Sequence, residues 1–112
     1  MKNHRNLSVL EAAEAVETEI NGLIDDSSQR LIHTTQLRRS AHSIVANISE
    51  AFGRGADGGR AQSLRVARGE AEETISHLRA NLESKRIDQR TFWRLRNRLI
   101  TIVKMLRALE RT

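Results

Sequence analysis

Apolar residues recur every three or four positions through almost all of this 112-residue chain, and no segment alternates with the period of two that a strand requires. Four segments carry the pattern. The first holds Val9, Ala13, Val16, Ile20 and Leu23, and the second Leu37, Ala41, Ile44, Ile48 and Ala51. The third holds Leu64, Ala67, Ala71, Ile75, Leu78 and Leu82, and the fourth Phe92, Leu95, Leu99, Ile102, Leu106 and Leu109 in the same heptad register. The chain contains no Pro, so nothing of that kind breaks a helix inside these segments. Four helices joined by short loops bury such stripes most simply as an all-α, up-down-up-down four-helix bundle, read here as one domain over residues 1–112. A chain of this size buries roughly two-thirds of its unfolded surface, enough for a core without staples.

The boundaries follow from the polar residues between stripes. Ser8 with Glu11 reads as a capping box opening the first helix. Asp25-Asp26-Ser27-Ser28 interrupts the pattern, and one of these residues is expected to cap a second helix running from about Gln29 to Phe52. The segment Gly53-Arg54-Gly55-Ala56-Asp57-Gly58-Gly59 reads as a loop, and Asp88 as the cap of the fourth helix. Gly69 lies inside the third helix, where glycine costs ~1 kcal/mol against alanine. A close approach of a neighbouring helix beside Ala67 and Ala71 would account for it, with a tolerated surface glycine as the alternative.

Composition excludes several classes. There is no Cys, hence no disulfide and no thiolate chemistry. The start Met1-Lys2-Asn3-His4-Arg5-Asn6 is basic but leads into no apolar stretch, so it does not read as a secretory signal. No apolar run approaches the ~20 residues of a membrane span. The expected location is the cytoplasm, with no membrane partner. Charge is segregated: residues 1–26 carry net −4, residues 27–55 net +3, residues 56–84 net −1 and residues 85–112 net +7. Arg90, Arg94, Arg98, Thr101, Lys104 and Arg111 fall near one face of the fourth helix. Repeated Arg at that spacing is mutually repulsive. It points outward to an anion or an acidic partner, or sideways to the acidic first helix.

Catalytic and cofactor motifs fail on context. Gly53-x-Gly55-x-x-Gly58 matches a dinucleotide fingerprint, but a helix precedes it where a strand is required, and no Gly-Lys-Ser/Thr follows. A phosphate visiting the helix start near Asp57 would meet that carboxylate. The histidines His4, His33, His42 and His77 form no His-x-x-x-His pair, and the Glu-x-x-His spacing of di-iron bundles is absent. Nothing argues for a catalytic triad, a metal or a cofactor, and the chain is expected not to be an enzyme. Phe92 reads as core. Trp93, one position off the stripe, reads as a boundary residue or an oligomer contact, and a lone indole makes a thin platform for a base.

The block from Gln36 to Arg54 carries a second stripe. Gln36, Ser40, Ser43, Asn47 and Glu50 run beside the apolar row, uncharged until the end, where a solvated face would carry Lys, Glu and Arg. The stripe suggests a second, close packing surface, and Gln36, Ser40, Ser43, Asn47 and Trp93 are the expected oligomer contacts. The same block resembles the signature Gln-Leu-Arg-Arg-Ser/Ala-Ala-x-Ser-Ile-x-x-Asn-Ile-Ala-Glu-Gly of the 23S rRNA intervening-sequence protein family. Gln36, Leu37, Arg38, Arg39, Ser40, Ala41, Ser43, Ile44, Asn47, Ile48 and Glu50 match it. Ala67-Arg68-Gly69-Glu70-Ala71-Glu72-Glu73 is similar to the family's Ala-x-Gly-Ser-x-x-Glu. Ala51 and Glu70 depart from the pattern, standing where Gly and Ser are usual.

The resemblance implies a four-helix bundle that assembles into a ring, typically a homopentamer. It extends to the accessory protein of diversity-generating retroelements, a basic pentameric barrel that binds nucleic acid and a reverse transcriptase. It offers no catalytic residues to carry over. Combined with the basic fourth segment, the expectation is a non-enzymatic ring that binds nucleic acid, RNA before DNA, by backbone electrostatics. Arg90, Arg94, Arg98 and Lys104 are the expected phosphate contacts, with Arg38 and Arg54 beside them. The alternative is a protein-interaction scaffold whose basic helix meets an acidic partner or its own first helix.

Overall fold

A computed structural model describes residues 4–26, 28, 30–55 and 58–112, with backbone alone at positions 4 and 5. Every regular element among them is helical: α1 (His4–Asp25), α2 (Thr34–Phe52), α3 (Arg60–Glu83) and α4 (Gln89–Glu110). Each helix packs against its two neighbours round a square and none crosses the diagonal. The contacts fix the directions. The end of α1 meets the start of α2 at Asp25 and Arg38. The start of α3 meets the end of α4 at Arg68 and Glu110. Glu19, late in α1, meets Arg94 and Arg98, early in α4. Neighbours are therefore antiparallel and the helices run up-down-up-down.

The buried rows keep heptad spacing. Val9, Ala13, Val16 and Ile20 from α1, Leu37, Ala41, Ile44, Ile48 and Ala51 from α2, and Phe92, Leu95, Leu99, Ile102, Leu106 and Leu109 from α4 all sit in one core. Row α3 differs from expectation in two places. Ile75 and Leu82 are only half-buried, whereas Thr74 and Asn81 are fully enclosed. The helix is turned slightly toward α2, so a small hydroxyl and an amide face inward there. Thr74 Oγ1 lies 2.8 Å from Ser40 Oγ and 2.8 Å from the Glu70 carbonyl, either of which can take its proton. Ser40 in turn donates to the Leu37 carbonyl, so the pair is satisfied within the chain.

Four local expectations need correction. Helix α1 begins one turn before Ser8, because Asn6, three residues before Val9, continues the buried row at 2% exposure. Ser8 therefore lies inside the helix rather than at its start. Helix α2 begins at Thr34 rather than near residue 29. Asp26 instead accepts from the Ser28 amide and hydroxyl, closing the turn after α1, and Ser27 lies outside the described residues. His33 stands at the N-cap with φ 57°, a left-handed conformation, and makes no side-chain cap. Gly69 is exposed with nothing within 4 Å of where a Cβ would sit, so no helix presses on it. The close approach of α2 and α3 is made instead at Ser40 and Thr74. Ser40, expected at an oligomer contact, has no exposed surface and belongs to that internal seam.

In the α1–α2 connection Arg86 donates to the Arg30 carbonyl at 2.7 Å, and the buried anchor is Asn81. Its Oδ1 accepts from the Ile32 amide at 2.8 Å, and its Nδ2 donates to the Ile32 carbonyl at 3.1 Å and the His77 carbonyl at 2.9 Å. One buried amide thus pairs with both backbone groups of a residue 49 positions away. The Asp88 cap stands as expected, its carboxylate accepting from the Thr91 amide at 2.7 Å.

Candidate nucleic-acid interface

The basic fourth segment divides by direction. Arg94 and Arg98 turn toward α1 and both bind Glu19, Arg98 at 2.6 Å. The sideways reading of these two cations is therefore what the chain adopts. Arg38 is likewise engaged, with Asp25 at 2.7 Å and Asn21 at 3.1 Å. Arg54 straps the α2–α3 loop, donating to Glu50 at 2.8 Å and to the Gly58 carbonyl at 2.9 Å. Ala56 and Asp57, the carboxylate considered beside the helix start, lie outside the described residues, and α3 begins at Arg60 after Gly59. Arg90 is exposed beside Asp88 and helps hold that carboxyl below its usual range, after the larger effect of the Thr91 hydrogen bonds. Lys104 is exposed, with no carboxylate within 4.0 Å among the described residues.

The outward face of α4 is a different row from the one the sequence suggested. Arg90, Trp93, Asn97, Ile100, Lys104, Arg107 and Arg111 follow one another at steps of three and four, and all but the half-buried Ile100 are exposed. The row is roughly 31 Å long at helical rise. Arg96 borders it, with its guanidinium 5.5 Å from the Trp93 ring centroid. Arg107 and Arg111, like Lys104, have no carboxylate within 4.0 Å among the described residues. The two acids of this stretch do not offset them. Asp88 caps the helix. Glu110 accepts two bonds from Arg68, at 2.9 and 3.2 Å, and that pairing raises the Arg68 pKa. Arg96 and Arg107 were missed from the sequence. Their signal is their place round Trp93 and Lys104, at three-residue steps, which a search restricted to i, i+4 arginines passes over.

Trp93 is 45% exposed, more than any other large apolar residue described. It stands edge-on to buried Phe92, with ring centroids 5.2 Å apart and planes at 80°. Arg79 of α3 lies over the Phe92 ring at 4.9 Å, bringing another guanidinium to the same end of the face. Of the other expected oligomer contacts, Gln36 is exposed, while Ser43 and Asn47 are half-buried. Asn47 Nδ2 donates to the Ser43 carbonyl and hydroxyl at 2.9 and 3.1 Å, which occupies much of their polarity locally.

The remaining polar clusters lie at helix surfaces. Arg39 of α2 reaches Glu70 and Glu73 of α3, His42 of α2 lies 2.8 Å from Glu17 of α1, and within α3 His77 lies 3.4 Å from Glu73 one turn earlier. No three His, Cys, Asp or Glu residues among those described are grouped to hold a metal ion. The concave surfaces are open grooves. One of about 560 Å³ at the α3–α4 turn is lined by Lys85, Arg86, Asp88 and Gln89 among others. Another, of about 490 Å³, lies between α1 and α2. No helix of the described residues is long and apolar enough to cross a membrane.

The fold is similar to that of a crystal structure of a protein with unknown function from the S23 ribosomal protein family of Bacteroides thetaiotaomicron. The TM-score is 0.88 at 23% sequence identity, over 96% of this chain and 99% of that one. A comparison with curated proteins gives no match. The sequence profile of the 23S rRNA-intervening sequence proteins matches residues 5–108, which spans all four helices and includes the Gln36–Arg54 block. On that match the chain belongs to the 23S rRNA-intervening sequence protein family.

Proposed function

We propose that this protein is a non-enzymatic helical bundle that assembles into a ring, a homopentamer, and binds nucleic acid, RNA first, along the outward face of α4. One observation carries the reading: five cations, Arg90, Arg96, Lys104, Arg107 and Arg111, line or border that face, and none has a carboxylate within 4.0 Å among the described residues, Asp88 acting on Arg90 from farther off. A like-charged row costs stability through repulsion unless an anion relieves it. Ring assembly repeats the row on every copy and raises the local potential. Contacts of this kind position a phosphate backbone and carry no sequence information. A role as accessory factor to a reverse transcriptase or an RNA-processing system fits such a ligand.

Filter binding across a salt series tests the reading. Each phosphate contact adds about −0.9 to the log–log slope for duplex DNA and about −0.7 for a single strand. Replacing Lys104 and Arg107 with Glu weakens binding uniformly and flattens the slope by about two contacts. A flat, weak response of the unaltered protein refutes the proposal.

A scaffold without nucleic acid is supported by a different feature. Glu11 and Glu14 are exposed on α1 with no cation within 4.0 Å among the described residues, so the basic row of one copy complements the acidic helix of the next. Under that reading the Lys104 and Arg107 reversals dissociate the assembly on a sizing column. Under the first they leave it intact.

A further inference from the structure

We infer that the ligand of the α4 face is single-stranded nucleic acid, held by stacking of an unpaired base on Trp93; this rests on the phosphate-binding reading above. The indole is 45% exposed in the middle of cations and stands edge-on to buried Phe92, leaving a ring face open to a ligand. Arg90 stands one turn before it on the same outward row, Arg96 lies against its ring, and Arg79 sits over the neighbouring Phe92. A ring projecting from the outside of a straight helix reaches only bases that are not already stacked in a duplex. The deep, narrow major groove of A-form RNA would not admit it.

Magnitudes decide whether a base displaces what already lies on the indole. The Arg96 guanidinium at 5.5 Å makes an exposed cation–π contact, worth about two- to fivefold in an equilibrium constant. Base-on-aromatic stacking is worth about five- to 150-fold per base. The base wins, and Arg96 is released to a phosphate on either side of it. Toward the α3–α4 turn the strand next meets Gln89, one turn before Trp93, and the groove that Gln89 shares with Lys85 and Arg86. Glu83 and Asp88 also line that groove and weaken the attraction there. The stronger path runs the other way, along Lys104, Arg107 and Arg111. A single platform stacks one base and reads no sequence, so affinity follows strandedness rather than composition.

The chain has one Trp and no Tyr, so its intrinsic fluorescence reports from position 93 alone. The 112-residue chain is titrated with oligouridylate, with a duplex RNA of equal length and with inorganic polyphosphate, which carries the charge without bases. The single strand is expected to quench the indole strongly, and polyphosphate to bind with little quenching. Trp93→Ala is expected to lose about tenfold in affinity for oligouridylate and nothing for polyphosphate, while Trp93→Phe keeps most of both. Helicity and mass in solution accompany each variant. If oligouridylate binds but Trp93→Ala holds it within twofold, the stacking inference falls and the phosphate reading stands. If neither polyphosphate nor any nucleic acid binds, both fall. If Trp93→Ala changes the mass in solution and spares oligouridylate affinity, the indole is a contact between copies and the inference is overturned.

Discussion

Replacing Asn81 with Ala tests what holds the α1–α2 connection. The side chain has no exposed surface and pairs with both backbone groups of Ile32 and with the His77 carbonyl. Truncation leaves the Ile32 amide and carbonyl without those partners. An unsatisfied buried backbone group costs ~1–3 kcal/mol, and Ile32 is half-buried, so water reaches it and the lower end applies. Two such groups with the small void give a loss of ~2–3 kcal/mol. At ~2.1 cal/mol/K per residue the unfolding entropy of this chain makes 1 kcal/mol worth about 4 °C, so the thermal midpoint falls by ~8–13 °C. Asn81→Asp is expected to be worse than Ala, because a carboxylate accepts from the amide but faces two carbonyls and buries a charge. Ser84→Ala is the control: it removes an exposed hydroxyl bond of 2.8 Å to the Ala80 carbonyl and costs at most ~0.5 kcal/mol. Thermal melts followed by helicity, with urea titrations for the slope, read all three. An Asn81→Ala protein as stable as Ser84→Ala, or an Asn81→Asp protein equal to the parent, would refute the clamp.

Gly69→Ala is expected to raise stability by ~0.5–1 kcal/mol in a urea titration, since the site is mid-helix with open space where the methyl goes. The Asp88 carboxyl has its pKa lowered in the folded chain from 3.8, first by the Thr91 hydrogen bonds. Its stabilisation is therefore complete above that value and lost as pH falls through the lower folded value. Asp88→Asn keeps an N-cap without the charge, and its thermal midpoint is expected to depend less on pH in that acid range. Glu19→Gln loosens the contacts to Arg94 and Arg98, both partly exposed, and is expected to cost ~0.5–1 kcal/mol in low salt and less in high salt by thermal melts.

What the sequence made legible is the part that repeats. The rows of α1, α2 and α4 keep three-four spacing with apolar side chains, so hydrophobicity and period point to the same face. In α3 the buried row runs Leu64, Ala67, Ala71, Thr74, Leu78 and Asn81, an unbroken heptad whose fourth and sixth members are polar. A reading keyed to apolarity moves to Ile75 and Leu82 and keeps the helix while missing its inner polar contacts. In the second stripe of α2, Ser40 packs against Thr74 of α3 in the same chain, while Gln36 and Glu50 are exposed and Ser43 and Asn47 half-buried. Small polar residues show that something packs closely and do not say which surface does. The start of α2 was illegible for a tertiary reason: His33 makes no side-chain cap, and the chain before the helix is held by Asn81 and Arg86, both far along the sequence. The ion pairs show the same limit, since spacing on α4 cannot reveal that Glu19 takes Arg94 and Arg98.

That division of charge ranks the surface for function. Two cations share one carboxylate at Glu19, so even the inward-turned pair leaves one positive charge uncompensated. Exposed pairs of this kind contribute only ~0–1 kcal/mol, while a hydrogen bond to a charged group is worth ~1.5–3 kcal/mol. A phosphate arriving at the border of α1 and α4 can therefore draw Arg94 or Arg98 away from Glu19 at small cost, but it meets that carboxylate's repulsion. On the outward row it displaces nothing from Lys104, Arg107 or Arg111. If nucleic acid binds as proposed, substitutions there remove affinity in nearly full steps per charge, and substitutions at Arg94 or Arg98 in fractions of one. An equal loss from both sets would mean that the ligand lies across the α1–α4 border, and would move the interface off the outward face of α4.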